Sequence, residues 1–303
     1  MIKRTLFFGN PAYLSMHNAQ LVIKTTDANT HEDVVKTVPI EDIGVVVLEN
    51  RQITITNGAL DALLKNNCAV ITCDEKHLPT GLLLPLEGHT VQSERFRFQI
   101  EASLPLKKQL WQQTIQAKIR NQAAVLKRWC GTEVGCMTAW ANAVKSGDRD
   151  NLEGRAAAYY WKNIFPTMDN FTRNREGDAP NNLLNYGYAI VRALVARALV
   201  ASGMLPTLGM HHHNRYNAYC LADDVMEPYR PYVDALVIEM LVSGTDCSTL
   251  TTDLKRQLLG LPVKEVIINE QRSPLMAATT QTTASLAKCY SGEWRKMLYP
   301  TME

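Results

Sequence analysis

The stretch Lys107-Lys108-Gln109-Leu110-Trp111-Gln112-Gln113-Thr114-Ile115-Gln116-Ala117-Lys118-Ile119-Arg120-Asn121-Gln122-Ala123-Ala124-Val125-Leu126-Lys127-Arg128-Trp129 decides the fold class. Its apolar residues Leu110, Trp111, Ile115, Ile119, Ala123 and Leu126 recur with the period of one helix face. A half-buried strand would alternate at every second residue instead. The spacing therefore predicts a helix over 107–129. The same grammar continues downstream, predicting helices over 136–146, 151–165, 182–202, 228–241, 248–258 and 277–290. Pro166, Gly177, Pro180, Gly203, Pro206, Gly209 and Gly244 punctuate them.

Upstream of about Ser93 the grammar is different. Short β-branched or aromatic runs at 5–8, 20–25, 34–39, 45–48, 52–56, 68–73 and 80–86 are split by Asn, Asp, Gly and Pro. One helix is expected among them, over 58–65, with Asn57 as its cap and Leu60, Leu63 and Leu64 on one face. The fold class that follows is α+β. A small β-sandwich over residues 1–90 precedes an all-helical domain over 93–303, with the boundary near 88–93.

Composition narrows the function classes. The 303 residues are 46% hydrophobic and 20% charged, enough apolar material for cores and too little charge for a disordered chain. The net charge of +2 excludes a histone-like polycation. It divides unevenly, with 7 basic against 10 acidic residues over 1–92 and 25 against 20 in the remainder. Residues 95–128 hold eight basic side chains against Glu101 alone, which is either a solvated helix face or a strip that contacts phosphates. Seven cysteines without a C-x-x-C pair argue against a disulfide framework and a zinc ribbon. No uninterrupted apolar run reaches the ~18 residues of a membrane span, and no secretory leader is visible. A soluble cytoplasmic protein is expected.

The densest polar cluster runs from Gly209 through His211-His212-His213 and Asp223-Asp224 to Glu227-Pro228-Tyr229-Arg230-Pro231. Imidazoles and carboxylates in such density form a ligand set for a divalent metal. On a helix over 217–227, both Asp223 and Asp224 would share a face with Glu227. Residues 212 and 227 on one straight helix would lie roughly 22 Å apart. The chain must therefore bend between them, with Asn214 or Asn217 as the expected cap. A polar loop with surface carboxylates would read the same way, so a third partner is needed. Glu153 is a candidate. It sits three residues after Asp150 and could merely close a capping box. Gly154 beside it costs ~1 kcal/mol against Ala in a helix, which argues that space near the carboxylate matters.

Three separated motifs then agree: Glu153-Gly154-x-Ala156-Ala157, Gly209-x-x-His212, and Asp224-x-x-Glu227-Pro228-x-Arg230-Pro231. Together with Cys73-Asp74-x-Lys76-x-Leu78-Pro79 and Leu184-Asn185-Tyr186-Gly187-Tyr188, they resemble the CRISPR spacer-acquisition integrases, the universal first member of the CRISPR-associated proteins. The Asp-x-Met-Glu-Pro form is similar to their type II branch. The resemblance implies a β-sandwich that forms a homodimer and a helical domain that carries the active site. It implies a Mg²⁺ or Mn²⁺ site at Glu153, His212 and Glu227, with Asp224 a nearby acid and His211 and His213 open as alternatives to His212. Many members carry Asp where this chain has Glu227.

The implied reaction is transesterification, in which a 3′-hydroxyl of a captured fragment attacks the repeat backbone. With water as nucleophile the same site would be an endonuclease. Arg230 is placed to meet a DNA phosphate or to pair with a local acid, and both readings stay open. The implied partners are double-stranded DNA, a second copy of the chain, the small second CRISPR-associated protein and the type II effector nuclease. Two rivals remain. One is a metal hydrolase of small substrates built on residues 211–213. The other is a DNA-binding scaffold whose acids are only structural. No P-loop, G-x-S-x-G or H-E-x-x-H motif is present.

Overall fold

The computed structural model describes residues 3–27, 30, 32–166, 168 and 171–302, and the chain divides into two compact units, Met1–Gly88 and His89–Glu303. The first unit holds two four-stranded sheets. Strands β1 (Arg4–Phe8), β2 (Ala12–His17), β3 (Gln20–Thr26), β4 (Asp33–Pro39), β5 (Ile43–Leu48) and β6 (Ile53–Ile55) are followed by helix α1 (Asn57–Lys65), β7 (Ala69–Cys73) and β8 (Pro79–Leu83). One sheet has the order β1-β5-β7-β8 and the other β4-β3-β2-β6. The first is parallel at β1–β5 and β5–β7, with Val46 opposite both Leu6 and Val70. Ile43, Val45, Val46 and Val47 of β5 are fully buried, the continuous apolar run expected of a strand covered on both faces. Leu14 and Leu21 from the second sheet join Phe8, Ile43, Val46 and Val70 from the first in one apolar cluster, which Ala59 and Leu63 of α1 complete.

Two details differ from expectation here. Strand β2 went unread because only Ala12 and Leu14 of its six residues are buried. Its pairing to β3 turns through Asn18 and Ala19, both at positive φ. The cap of α1 is Thr56, whose hydroxyl accepts the Ala59 amide, so Asn57 is already helical.

The second unit is built around two long helices. It begins with α2 (Gln92–Glu101) and α3 (Leu104–Cys130). Ser103 caps α3 by accepting from the Leu106 amide, and Gly131 ends it in the left-handed conformation at φ 61°. Then come α4 (Gly135–Ala143), α5 (Leu152–Asn163) and α6 (Asn181–Ala201), the last buried along most of its length. Helix α6 is apolar and long enough to cross a membrane, yet 78% of that window is buried inside the protein. Helix α7 (Cys220–Met226), a 3-10 turn (Glu227–Tyr229), α8 (Arg230–Val242) and α9 (Thr252–Leu258) follow, and α10 (Leu275–Tyr290) closes the unit. Helix α3 packs against α4, α5, α8 and the 3-10 turn, and α6 against α7 to α10.

The unit is not all-helical. An antiparallel hairpin, β9 (Glu265–Ile268) and β10 (Gln271–Pro274), lies between α9 and α10. Val266, Ile267 and Ile268 are β-branched, and Asn269 and Glu270 both take positive φ, as a two-residue hairpin turn requires. Helix α2 was also unexpected. Its only buried residue is Gln99, so it has no apolar stripe to read. Gln99 donates to the Leu205 and Leu208 carbonyls and accepts from the Leu205 amide, anchoring the segment that leads into Gly209.

Candidate active site

Three elements converge on the side chain of Lys118. It lies on the inward face of α3, where its ammonium sits 2.6 Å from Glu153 Oε1 and 2.6 Å from Glu227 Oε2. The two carboxylates are therefore separated by no more than twice that distance. Arg230 Nε donates to the other oxygen of Glu227 at 2.7 Å, and its guanidinium lies 4.6 Å from the centre of the Tyr188 ring. Of the two readings left open for Arg230, the structure shows pairing with the local acid.

Local structure explains each placement. Glu153 stands in the first turn of α5, where the helix dipole favours a carboxylate. Its side chain closes no capping box. Asn151, at φ 49°, caps the helix through the Gly154 amide, and Asp148 accepts from the Leu152 and Glu153 amides. Asp150 pairs with Lys145 instead. Gly154 makes room for the cap, since a Cβ there would stand 2.8 Å from Asn151 Oδ1. The space it leaves is thus filled by Asn151 and is not an approach to Glu153. Glu227 opens the 3-10 turn, which α3 holds in place. Asn121 Nδ2, one helical turn beyond Lys118, donates to the Pro228 and Pro300 carbonyls, and Asn121 Oδ1 accepts from the Met302 amide.

A second cluster lies within electrostatic reach of the first. Helix α7 starts at Cys220 after Tyr219, so neither Asn214 nor Asn217 is its cap. Asn214 instead turns the loop through the Tyr216 amide, and Asn217 accepts from Tyr219 and donates to Asp223. Asp224 is fully buried and accepts from the amides of His211 and His212 and from His212 Nδ1, the last at 2.5 Å. With Nδ1 committed to Asp224, Nε2 is the His212 nitrogen left for a ligand. Gly209 permits this packing, because a Cβ there would lie 2.3 Å from the His212 carbonyl and 2.9 Å from Asp224 Oδ2. His211 stacks flat on Trp111 with ring centroids 4.2 Å apart, and His212 meets the same ring edge-on. His213 is exposed and bonds only to the His211 carbonyl among the contacts described. Asp223 turns away to Arg192, so the three nearby acids each have their own partners.

Electrostatics couple the two clusters. Burial pushes the Glu227 carboxyl up, but Arg230 and Lys118 outweigh it and hold the group down at about 2. Burial likewise pushes the Lys118 ammonium down, and Glu227 and Glu153 together more than reverse it. The hydrogen bond to Asp224 raises His212 against the effect of burial, and the charges of Glu227 and Glu153 add to the rise. Burial lowers His211, helped by the neighbouring His212. Accessibility is uneven: the side chains of His212 and Glu153 are 47% and 24% exposed, those of Glu227 and Asp224 8% and 0%. The cluster opens on the His212–Glu153 side.

As donors, two carboxylates and an imidazole nitrogen suit Mg²⁺ or Mn²⁺. Among the described residues no three His, Cys, Asp or Glu side chains are gathered closely enough to hold an ion as they stand. Between Glu153 and Glu227 the cation is Lys118 itself. Sequence reasoning missed that role. Lys118 reads as one of eight basic residues in a strip, yet it is buried and paired. The available signal was its position on the inward stripe of α3, with Thr114, Asn121 and Gln122, all buried.

These features define a class: a strand-rich N-terminal unit followed by a mainly helical unit that brings two carboxylates and an oriented imidazole to one opening. The chain belongs to the Cas1 family, whose model, "CRISPR associated protein Cas1", matches residues 6–249. It is 38% identical over 287 residues to a CRISPR-associated endonuclease Cas1 from Neisseria meningitidis, covering 94% of this chain and 91% of the relative. Among solved structures, it is similar in fold to a casposase bound to integration product, with TM-score 0.78, 22% identity and coverage of 97% and 92%. A Cas6-RT-Cas1–Cas2 complex aligns with TM-score 0.74 and 18% identity, over 97% of this chain and 36% of that one. Cys130, Cys136, Cys220, Cys247 and Cys289 are free thiols.

Proposed function

We propose that the chain is a metal-dependent DNA integrase and endonuclease of the type II branch, which inserts spacer DNA into a CRISPR array. The observation that carries the reading is the convergence of Glu153 and Glu227 on one cation position, 2.6 Å from each. Glu153, Glu227 and His212 Nε2 would hold a Mg²⁺ or Mn²⁺ ion. Such an ion polarises a phosphoryl group and stabilises the leaving alkoxide. Asp224 orients the imidazole, and Arg230 keeps Glu227 ionised and fixed in direction. The exposed edge of the cluster, at His212 and Glu153, is where a DNA backbone would enter. A 3′-hydroxyl as nucleophile gives strand transfer, and water gives hydrolysis.

Family membership supports this reading through the Neisseria relative, named an endonuclease, and the casposase neighbour, solved with an integration product. The Cas1–Cas2 neighbour supports the small second CRISPR-associated protein as partner. The two sheets of the first unit would form the sandwich that pairs two copies, giving two active sites for the two strands. Contact with the type II effector nuclease belongs to the same reading.

The test is a gel assay of strand transfer from a prespacer into a supercoiled repeat plasmid with Mn²⁺ or Mg²⁺. Glu153→Ala, His212→Ala and Glu227→Ala should each abolish strand transfer while DNA binding largely persists. Full strand transfer retained in any two of them ends the assignment.

A further inference from the structure

Lys118 has a feature that neither packing nor the chemistry above requires: its ammonium occupies the one position shared by the two carboxylates. We propose that Lys118 is a resident counter-ion for the divalent-cation site, holding Glu153 and Glu227 at ligating separation until an incoming ion displaces it. The inference rests on the reading of those two residues as ligands.

The argument begins with charge. Two carboxylates this close repel unless a cation lies between them. The unit therefore needs a positive group there in the absence of metal, and Lys118 provides one at hydrogen-bonding distance to both. Lysine suits a displaceable role. It is a point charge on a flexible four-carbon stem, whereas Arg forms a fixed planar fork. The contrast is present in the same cluster. Arg230 is fastened by its bond to Glu227 and its stack on Tyr188, so it stays when Lys118 leaves. The helix itself has no need to move, because Asn121 ties α3 to the turn that carries Glu227. Glu153 gives the entry side, being the more exposed of the two carboxylates.

Charge balance also favours exchange. Lys118 and Arg230 neutralise Glu153 and Glu227. A divalent ion in place of the ammonium raises the charge between the two carboxylates by one, the direction that favours a phosphodiester.

The experiment is calorimetric titration of the full chain with Mn²⁺, in the wild type, Lys118→Met and Glu153→Gln. Lys118→Met should bind Mn²⁺ at least five-fold more tightly than the wild type. It should melt lower without metal and gain more on Mn²⁺ addition. A folded Lys118→Met with equal or weaker affinity overturns the proposal. Should that variant not fold, the wild type decides, through acylation of Lys118 read by peptide mass spectrometry. Modification should be at least three-fold faster at saturating Mn²⁺, and an equal rate overturns the proposal. Glu153→Gln separates this inference from the one beneath it. A ten-fold loss of Mn²⁺ affinity upholds the metal site, and unchanged affinity brings down both readings. Weaker binding in Glu153→Gln with no tightening in Lys118→Met removes the counter-ion alone.

Discussion

Glu227 and Asp234 are both buried carboxylates, close in sequence at the junction of the 3-10 turn and α8, yet their surroundings are opposite in kind. Glu227 accepts from two cations, Lys118 and Arg230, and is held at about 2. Asp234 accepts from two phenols, Tyr160 at 2.8 Å and Tyr188 at 2.5 Å, and burial pushes it up to about 6. Hydrogen bonds from neutral hydroxyls offset desolvation less well than charges do. The comparison teaches that burial alone does not mark a functional acid. Glu227 is kept ionised and is joined through Lys118 to the more exposed Glu153. Asp234 is enclosed and anchors rings: its Tyr188 partner lies beneath the Arg230 guanidinium.

The largest expected effect separates the two acids directly. Glu227→Gln should lower strand transfer at least 100-fold, on the order of 3 kcal/mol in the barrier. Asp234→Asn should stay within about ten-fold of the wild type. A comparable loss in both, measured on proteins of equal DNA affinity, would break the distinction.

The next concerns pH. Asp234 has a folded value above its ordinary 3.8, so its contribution is fully present below about pH 4 and is lost as pH rises through about 6. Glu227 has a folded value below its ordinary 4.5, so its contribution is present above that pH and is lost as pH falls toward 2. Urea midpoints at pH 7, 5 and 4 should show Asp234→Asn losing a stabilisation that grows on acidification, of at most about 3 kcal/mol. An unchanged slope between pH 7 and 4 would contradict the Asp234 assignment.

The smallest effect falls on the residue that touches both networks. Arg230→Lys keeps the charge near Glu227 but loses the planar stack on Tyr188. It should cost about 1 kcal/mol in urea unfolding. No loss would mean that charge alone matters there.

How much of this was legible depended on whether a residue's partner was local. The period of α3 and the β-branched runs of the first unit are local signals, and both elements formed near the expected positions. The hairpin at β9 and β10 was equally local. It went unread because Asn269-Glu270 lacks the glycine that usually advertises such a turn. Glu153, His212, Asp224 and Glu227 stood out through their motifs, whereas their actual partners could not be read. The pairing of Lys118 with Glu153 joins α3 to α5, and that with Glu227 joins α3 to the 3-10 turn. No spacing rule along one chain reports such a meeting. Gly154 illustrates the converse. It is conspicuous in the sequence, but the reason for it is the side chain of Asn151, three residues earlier.

Asn121 carries one further consequence. Through it, the backbone at Pro300 and Met302 shares a single amide side chain with the turn behind Glu227. A protease nick between Tyr299 and Met302 would therefore loosen the turn that carries Glu227, some seventy residues away in the chain.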